Sequence, residues 1–441
     1  MENVVNYVIG VLIIVLGLAV SIGLHEIGHL VPAKRFGVKV THYMIGFGPK
    51  LWSTKRGDTE YGIKLLPLGG YIAMVGMYPP GPSSDENSAK SGFFRRMIQD
   101  ARDASAEGVG PNEQQRTFYS KPVWQRVIVM LGGPTMNLLL AVVFFAIVLM
   151  GFGVAQPSTS VASVSQCVIA AGSSQTSCSP SDPLSPAAAA GFRAGDQIVS
   201  INGQAISSWS EFSSTVAASP NQQLSVEVRR DGSTLTLELT PQLTQRYRSD
   251  ASGAPVEHNG QKELVDVGFA GISPASDLVP QGPGAVFGTV GNTIAQTGGL
   301  IVTLPQKIVG IVQSTVSGTP RDPNGPISVV GIGAVAGEVF SLPGASLGAR
   351  VATMLGLLGS LNVALFLFNL LPLLPLDGGH IVAALWESIR RGWAKLFKRP
   401  DPGPVDAAKL MPITFIMFFV IIGVSSVLIW ADLVNPVSLF G

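Results

Sequence analysis

The stretch SIGLHEIGHL, residues 21–30, places His25, Glu26 and His29 at the end of an apolar run that begins at Val4. On a helix, His25 and His29 lie about 40° apart on one face, with Glu26 beside them. H-E-x-x-H on a helix suits zinc-dependent hydrolysis. Two neutral imidazoles hold the metal, and the glutamate takes a proton from metal-bound water. Each ionisable side chain inside a membrane helix costs about 2.5–3.5 kcal/mol on insertion scales. Three within one turn call for compensation, which a bound dication with water supplies. A polar helix end snorkelling to the interface is the plainer reading.

A catalytic zinc site needs a third protein ligand. The apolar segment from Val351 ends in FNLLPLLPLDGGH, with Asp377 where a carboxylate is otherwise costly. Asp377 is the favoured ligand, because the glycines that follow it allow close backbone approach; His380 is the rival. Asn369 lies eight residues earlier, and Pro372 and Pro375 break the helix between them. A broken helix frees backbone groups for a ligand. Asn369 can donate to a substrate carbonyl or form a helix–helix hydrogen bond, and the residues alone leave both readings open. Asn137, in LGGPTMNLLL, needs a buried partner or holds two helices together, and Gly132 and Gly133 permit close helix approach.

The elements that must carry these residues are apolar. Of 441 residues, 46% are hydrophobic and 13% charged, against about 25% charged in soluble domains. The chain therefore reads as an α-helical integral membrane protein. A net charge of +1 argues against nucleic acid as a partner. Six Trp and seven Tyr are too few for a large aromatic-rich barrel. Four charge-free segments meet the length of about 20 residues that a spanning helix needs: Val4 to Leu24, Val127 to Val154, Val351 to Leu376 and Pro412 to Trp430. The first is no signal peptide. It lacks a positive n-region and a small-residue cleavage site, and its apolar run is too long.

Lys and Arg set the orientation. Residues 31–123 hold 13 and residues 380–412 hold 6, whereas residues 155–348 hold only 8 and residues 1–24 hold none. HEIGH and Asp377 then share the cytoplasmic side, and the long loop and both termini lie outside. Cys167 and Cys178 fall in that outer loop, where a disulfide is expected, with two free thiols the alternative; no third ligand nearby would make them a zinc site.

The chain divides into 1–78 (first span and a β-hairpin), 79–123 (a cytoplasmic insertion), 124–154 (second span) and 155–183 (a Ser/Ala/Pro-rich linker). Then follow 184–242 (a small α/β module), 243–350 (an outer region with an amphipathic helix on the surface), 351–379 (third span), 380–411 (a cytoplasmic loop) and 412–433 (fourth span). In the module, DQIVSING is a strand closed by Asn-Gly, SWSEFSSTVAAS a serine-capped helix, and LSVEVRRDGSTLTLELTP a hairpin. EYGIKLLPLGGYI reads as a hairpin, either re-entering the membrane or packed as a small sheet at its surface. Phe93, Phe94, Arg95 and Arg96 can touch anionic lipid headgroups or belong to a solvated insertion.

HEIGH, LLPLGGYI, GGPTMN, AAAAGFRAGDQIVSING and NLLPLLPLDGGH, in this order over most of the chain, resemble the site-2 proteases, in particular the bacterial regulator-of-sigma-E-protease branch. The resemblance implies an intramembrane zinc metalloprotease with Zn2+ on His25, His29 and Asp377, and Glu26 as catalytic base. It also implies Asn369 as a substrate contact, Gly69 and Gly70 within a membrane re-entrant β-element, and an extracytoplasmic PDZ-like module that filters substrates. The expected substrates are single-pass membrane proteins, such as anti-sigma factors already cut by a site-1 protease, cleaved in the inner membrane. The 79–121 insertion and the Cys167–Cys178 loop lie outside that pattern. A receptor or scaffold would have no use for Glu26, and a metal transporter would spread polar residues along a path instead of clustering them at one level.

Overall fold

The computed structural model describes residues 2–80, 92–110, 113–169, 177–179, 182–247, 257–258, 261–322 and 325–437. The chain forms two compact units: residues 1–152 with 281–441, and residues 153–280, inserted between those halves.

The first unit opens with helix α1 (Glu2–Arg35), which runs through HEIGH and beyond it. Strands β1 (Val40–Arg56) and β2 (Thr59–Met74) follow, then α2 (Phe93–Ala106) and α3 (Val123–Ala146). The β1–β2 pair is more than a simple hairpin, since Tyr43 lies opposite both Tyr61 and Ile72. Gly46 and Gly48 supply the positive φ of the bend in β1 (91° and 87°). The segment Gly70–Met74 pairs with β1 along one edge, and its other edge has no ladder partner among the described residues.

The second unit contains β3 (Val154–Val164), α4 (Pro186–Ala189), β4 (Gln197–Ile201), β5 (Gln204–Ala205), α5 (Trp209–Ala218), β6 (Leu224–Arg230), β7 (Ser233–Leu239), β8 (Gln242–Tyr247), β9 (Glu257–His258), β10 (Gln261–Lys262), β11 (Leu264–Phe269) and β12 (Ile272–Val279). One sheet runs β12-β3-β4-β6-β7, with β5 against β4. Its core gathers Val161, Phe192, Ile198, Phe212, Val226 and Leu239. Ser208 caps α5 by accepting the Glu211 N–H. Residues 155–164, expected as linker, belong to the strand β3. Pro and Ser hid the alternation there, and only Val161 of the strand is buried. Cys167 and Cys178 form a disulfide. Asp196 is fully buried and receives Arg230 through Nε and Nη2 at 2.6 and 2.7 Å. Burial pushes its carboxyl up, but the Arg230 hydrogen bonds outweigh this and hold it below the usual carboxylate range.

The chain returns to the first unit with α6 (Pro283–Ser317), α7 (Val329–Ser341), α8 (Leu347–Asn369), α9 (Asp377–Leu396) and α10 (Met411–Val434). Five helices are long and apolar enough to cross a membrane, counted by length and composition, where four were expected. The addition is α6, read from sequence as an amphipathic surface helix because glycines interrupt it. Glycine is tolerated in apolar helices better than in soluble ones, and α6 stays helical for 35 residues. Val286 and Val290 pack on Ala141, Phe145 and Val363, and Ile311 packs on Leu428 and Ala431. The third span also ends earlier than expected, at Asn369, and residues 380–411, expected as a loop, are largely helical. Hydropathy carried the apolar run through LLPLLPL, but its prolines disfavour helix.

Candidate metal centre

Two backbones in contact set the site. A methyl on Gly28 would lie 2.7 Å from the Gly132 carbonyl carbon, so α1 and α3 cross with no side chain between them. The crossing turns the HEIGH face toward α3. His29 Nδ1 donates to the Val129 carbonyl at 2.7 Å, which leaves a lone pair on Nε2. His25 Nδ1 lies 3.0 Å from the Asn137 carboxamide. Asn137 is fully buried, and its Oδ1 has no partner while Nδ2 faces the ring. Turned end for end, the amide oxygen accepts the Nδ1–H, and His25 Nε2 is then also a lone pair.

The third group arrives on α9. Asp377 is its first residue, brought back toward α1 by the turn at residues 370–376. Gly378 and Gly379 make that turn fit: a Cβ on Gly379 would lie 2.7 Å from the backbone of Leu373 and Leu374. Asp377 Oδ2 stands 3.4 Å from His25 Nε2 and 3.3 Å from His29 Nε2, and the two Nε2 atoms are 3.1 Å apart. Oδ2 is buried with no hydrogen-bond partner. Three electron-pair donors facing one point repel one another unless a cation lies between them. Ligands about 2.05 Å from a tetrahedral ion stand about 3.3 Å apart, so the donor triangle matches a zinc site. Gly133 lets both rings lie against α3: a Cβ there would overlap His29 Nε2 and lie 2.7 Å from His25 Nε2. These residues fit a zinc ion.

Glu26 stands beside the triangle. Its carboxylate faces the Ile72 backbone N–H. A Cβ on Gly70 would meet the Glu26 Cγ at 3.3 Å, so the glycine lets β2 approach the acid. Gly69 adjoins it in the same strand. Tyr43 donates to the Gly23 carbonyl at 2.8 Å and fixes the sheet to α1. Asn369, the last residue of α8, makes no side-chain hydrogen bond among the described residues. His380 is not in the converging group; its ring lies 6.3 Å from that of Tyr78.

The Val129 carbonyl, the Gly133 cradle and the Ile72 N–H escaped the sequence reading. The first and third are backbone groups, which no residue type announces. The glycine pair signals helix approach, but nothing local ties Gly133 to a ring 104 residues away in the chain.

The profile of peptidase family M50 matches residues 13–399. The zinc metalloprotease Rip1 of Mycobacterium tuberculosis is 33% identical over 98% of this chain and 99% of its own length. Rip1 of Mycolicibacterium smegmatis is 32% identical over 98% and 99%, and the metalloprotease MmpA of Caulobacter vibrioides 30% identical over 85% of each chain. With its apolar helices and its paired motifs, the chain is a multi-pass membrane protein that belongs to peptidase family M50, the site-2 protease family its sequence resembles.

Proposed function

We propose that this chain is a zinc metalloprotease that hydrolyses peptide bonds inside the membrane. The convergence of His25, His29 and Asp377 at tetrahedral-edge spacing, with Glu26 alongside, carries the reading. His25, His29 and Asp377 hold Zn2+. Bound there, the ion supplies Lewis-acid polarisation of the scissile carbonyl and acidifies the attacking water. Glu26 takes the proton of that water and passes it to the leaving amine nitrogen. Asn137 and the Val129 carbonyl keep both imidazoles in the ligating tautomer.

A substrate helix has its carbonyls hydrogen-bonded and resists attack until it unwinds. The unpaired edge of Gly70–Met74 offers the unwound segment a strand to join. The close approach of Gly70 to the Glu26 side chain supports this placement, because it sets that strand against the acid. Gly69 and Gly70 keep the approach clear, and the uncommitted amide of Asn369 contacts the substrate backbone. The substrates are single-pass membrane proteins, such as anti-sigma factors pre-cut by a site-1 protease. The second unit acts as a PDZ-like screen outside the inner membrane, with the metal centre toward the cytoplasm, as the Lys and Arg distribution supports.

The test uses purified protein in liposomes with a single-pass substrate shortened on its outer side, and mass spectrometry of the products. The cut is expected within the apolar segment. Glu26→Gln should keep its zinc and lose cleavage by about 10²–10⁴-fold. A cut confined to the soluble flank, or an active Glu26→Gln enzyme, would sink the reading.

A further inference from the structure

Helix α9 lies in the chain between two candidate spans, α8 and α10, and its two long faces differ. Ala384, Glu387 and Ala394 are buried. Glu387 pairs with Arg126 of α3 at 2.6 Å and accepts the Val405 N–H at 3.0 Å. The other face is exposed and apolar: Val382, Leu385, Trp386, Ile389, Trp393 and Leu396. At 100° per residue these six fall within an arc of about 100°. Trp386 and Trp393 are 55% and 61% exposed. Where the stripe ends, Lys395, Lys398 and Arg399 are exposed and have no ion-pair partner among the described residues. Beside Trp386 a cavity of about 370 Å³, lined by Val382, Ile413 and Met417, carries the apolar surface on toward α10.

The geometry points to α9 as an in-plane helix that seats this face in the membrane leaflet on the basic-loop side, with Lys395, Lys398 and Arg399 on the phosphates of anionic phospholipids. Three observations select lipid as the occupant. The helix is tethered at both ends to spanning helices, so the face is already held at the bilayer. Two tryptophans stand in the stripe, the residue type enriched at membrane interfaces. The unpaired cations suit anionic headgroups. Because α9 opens on Asp377, seating it also sets the depth of that carboxylate; this last clause alone rests on the proposed metal centre.

The experiment reads tryptophan fluorescence of the full chain, so it is independent of zinc and of proteolysis. The wild type and the Trp386→Phe/Trp393→Phe variant are reconstituted in phosphatidylcholine vesicles with and without phosphatidylglycerol. Quenching is measured with lipids brominated near the headgroup end or near the methyl end of the acyl chain. The difference between the two proteins isolates the two α9 tryptophans. Expected is stronger quenching from the headgroup end, enhanced by phosphatidylglycerol, with the enhancement abolished in Lys395→Ser/Lys398→Ser/Arg399→Ser. Quenching from neither depth leaves the face for water or another protein and overturns the proposal. Stronger quenching from the methyl end overturns the in-plane arrangement. An enhancement that survives the triple substitution overturns the headgroup contact.

Discussion

Replacing Gly133 by alanine sets two physical effects against each other. Gly133 lies in the interior of α3 with helical backbone, so alanine should favour the helix by about 1 kcal/mol. Its Cβ, however, would overlap His29 Nε2 and lie 2.6 and 2.7 Å from His25 Cε1 and Nε2. Non-bonded atoms of this size settle at about 3.5 Å, so the His25 ring must retreat by nearly 1 Å and the His29 ring by more. Metal sites tolerate about 0.2 Å in ligand distance, and a 1 Å misplacement costs about 10²-fold in rate. The assay pairs zinc per chain, by elemental mass spectrometry of purified protein, with cleavage of a single-pass reporter and thermal unfolding of the metal-stripped protein. Gly133→Ala should fall from about one zinc per chain to near zero, lose at least about 100-fold in turnover, and unfold no earlier than wild type once both are stripped. Gly423→Ala, with open space around its Cβ, should change none of these. Stoichiometric zinc in Gly133→Ala, with turnover within a few-fold of wild type, would refute the dependence of the ligand geometry on Gly133.

Asp377→Ala should lose zinc, whereas His380→Ala should keep it; the reverse pattern in the same metal measurement would promote His380 to ligand. Asn137→Ala leaves His25 Nδ1 without its partner and should weaken zinc by about 10–100-fold, read by competition with a chelating dye. In the second unit the Asp196 carboxyl is depressed in the folded state. Its stabilisation is therefore full above the unfolded value of about 3.9 and drains away as pH falls through the folded value. Hydrogen exchange of β4 and β6 amides should accelerate over that acid range in wild type, and Asp196→Asn should already exchange faster at neutral pH.

How much of this could be read in advance follows from which forces act locally. His25, Glu26, His29 and Asp377 stood out because charge is scarce in apolar segments, and helical period puts the histidines on one face. The end of α8 is not legible in the sequence, because apolarity continues past Asn369 while helix does not. Strand β3 went unread because Pro157 and its serines carry little hydrophobic signal, and its place in the sheet comes from β4 and β12, distant in the chain. The orienting Val129 carbonyl was beyond reach, since only the crossing of α1 and α3 brings it to His29.

That crossing bears on how the enzyme can be improved. Stabilising substitutions are usually common and combine freely, and filling a glycine in a helix is among the first tried. Between Gly28 and Gly132 the same atoms that weld two helices also aim the imidazoles, so packing and turnover stand or fall there as a single trait. Robustness has to be sought elsewhere in the chain, for example at helical glycines with open surroundings such as Gly356 and Gly392.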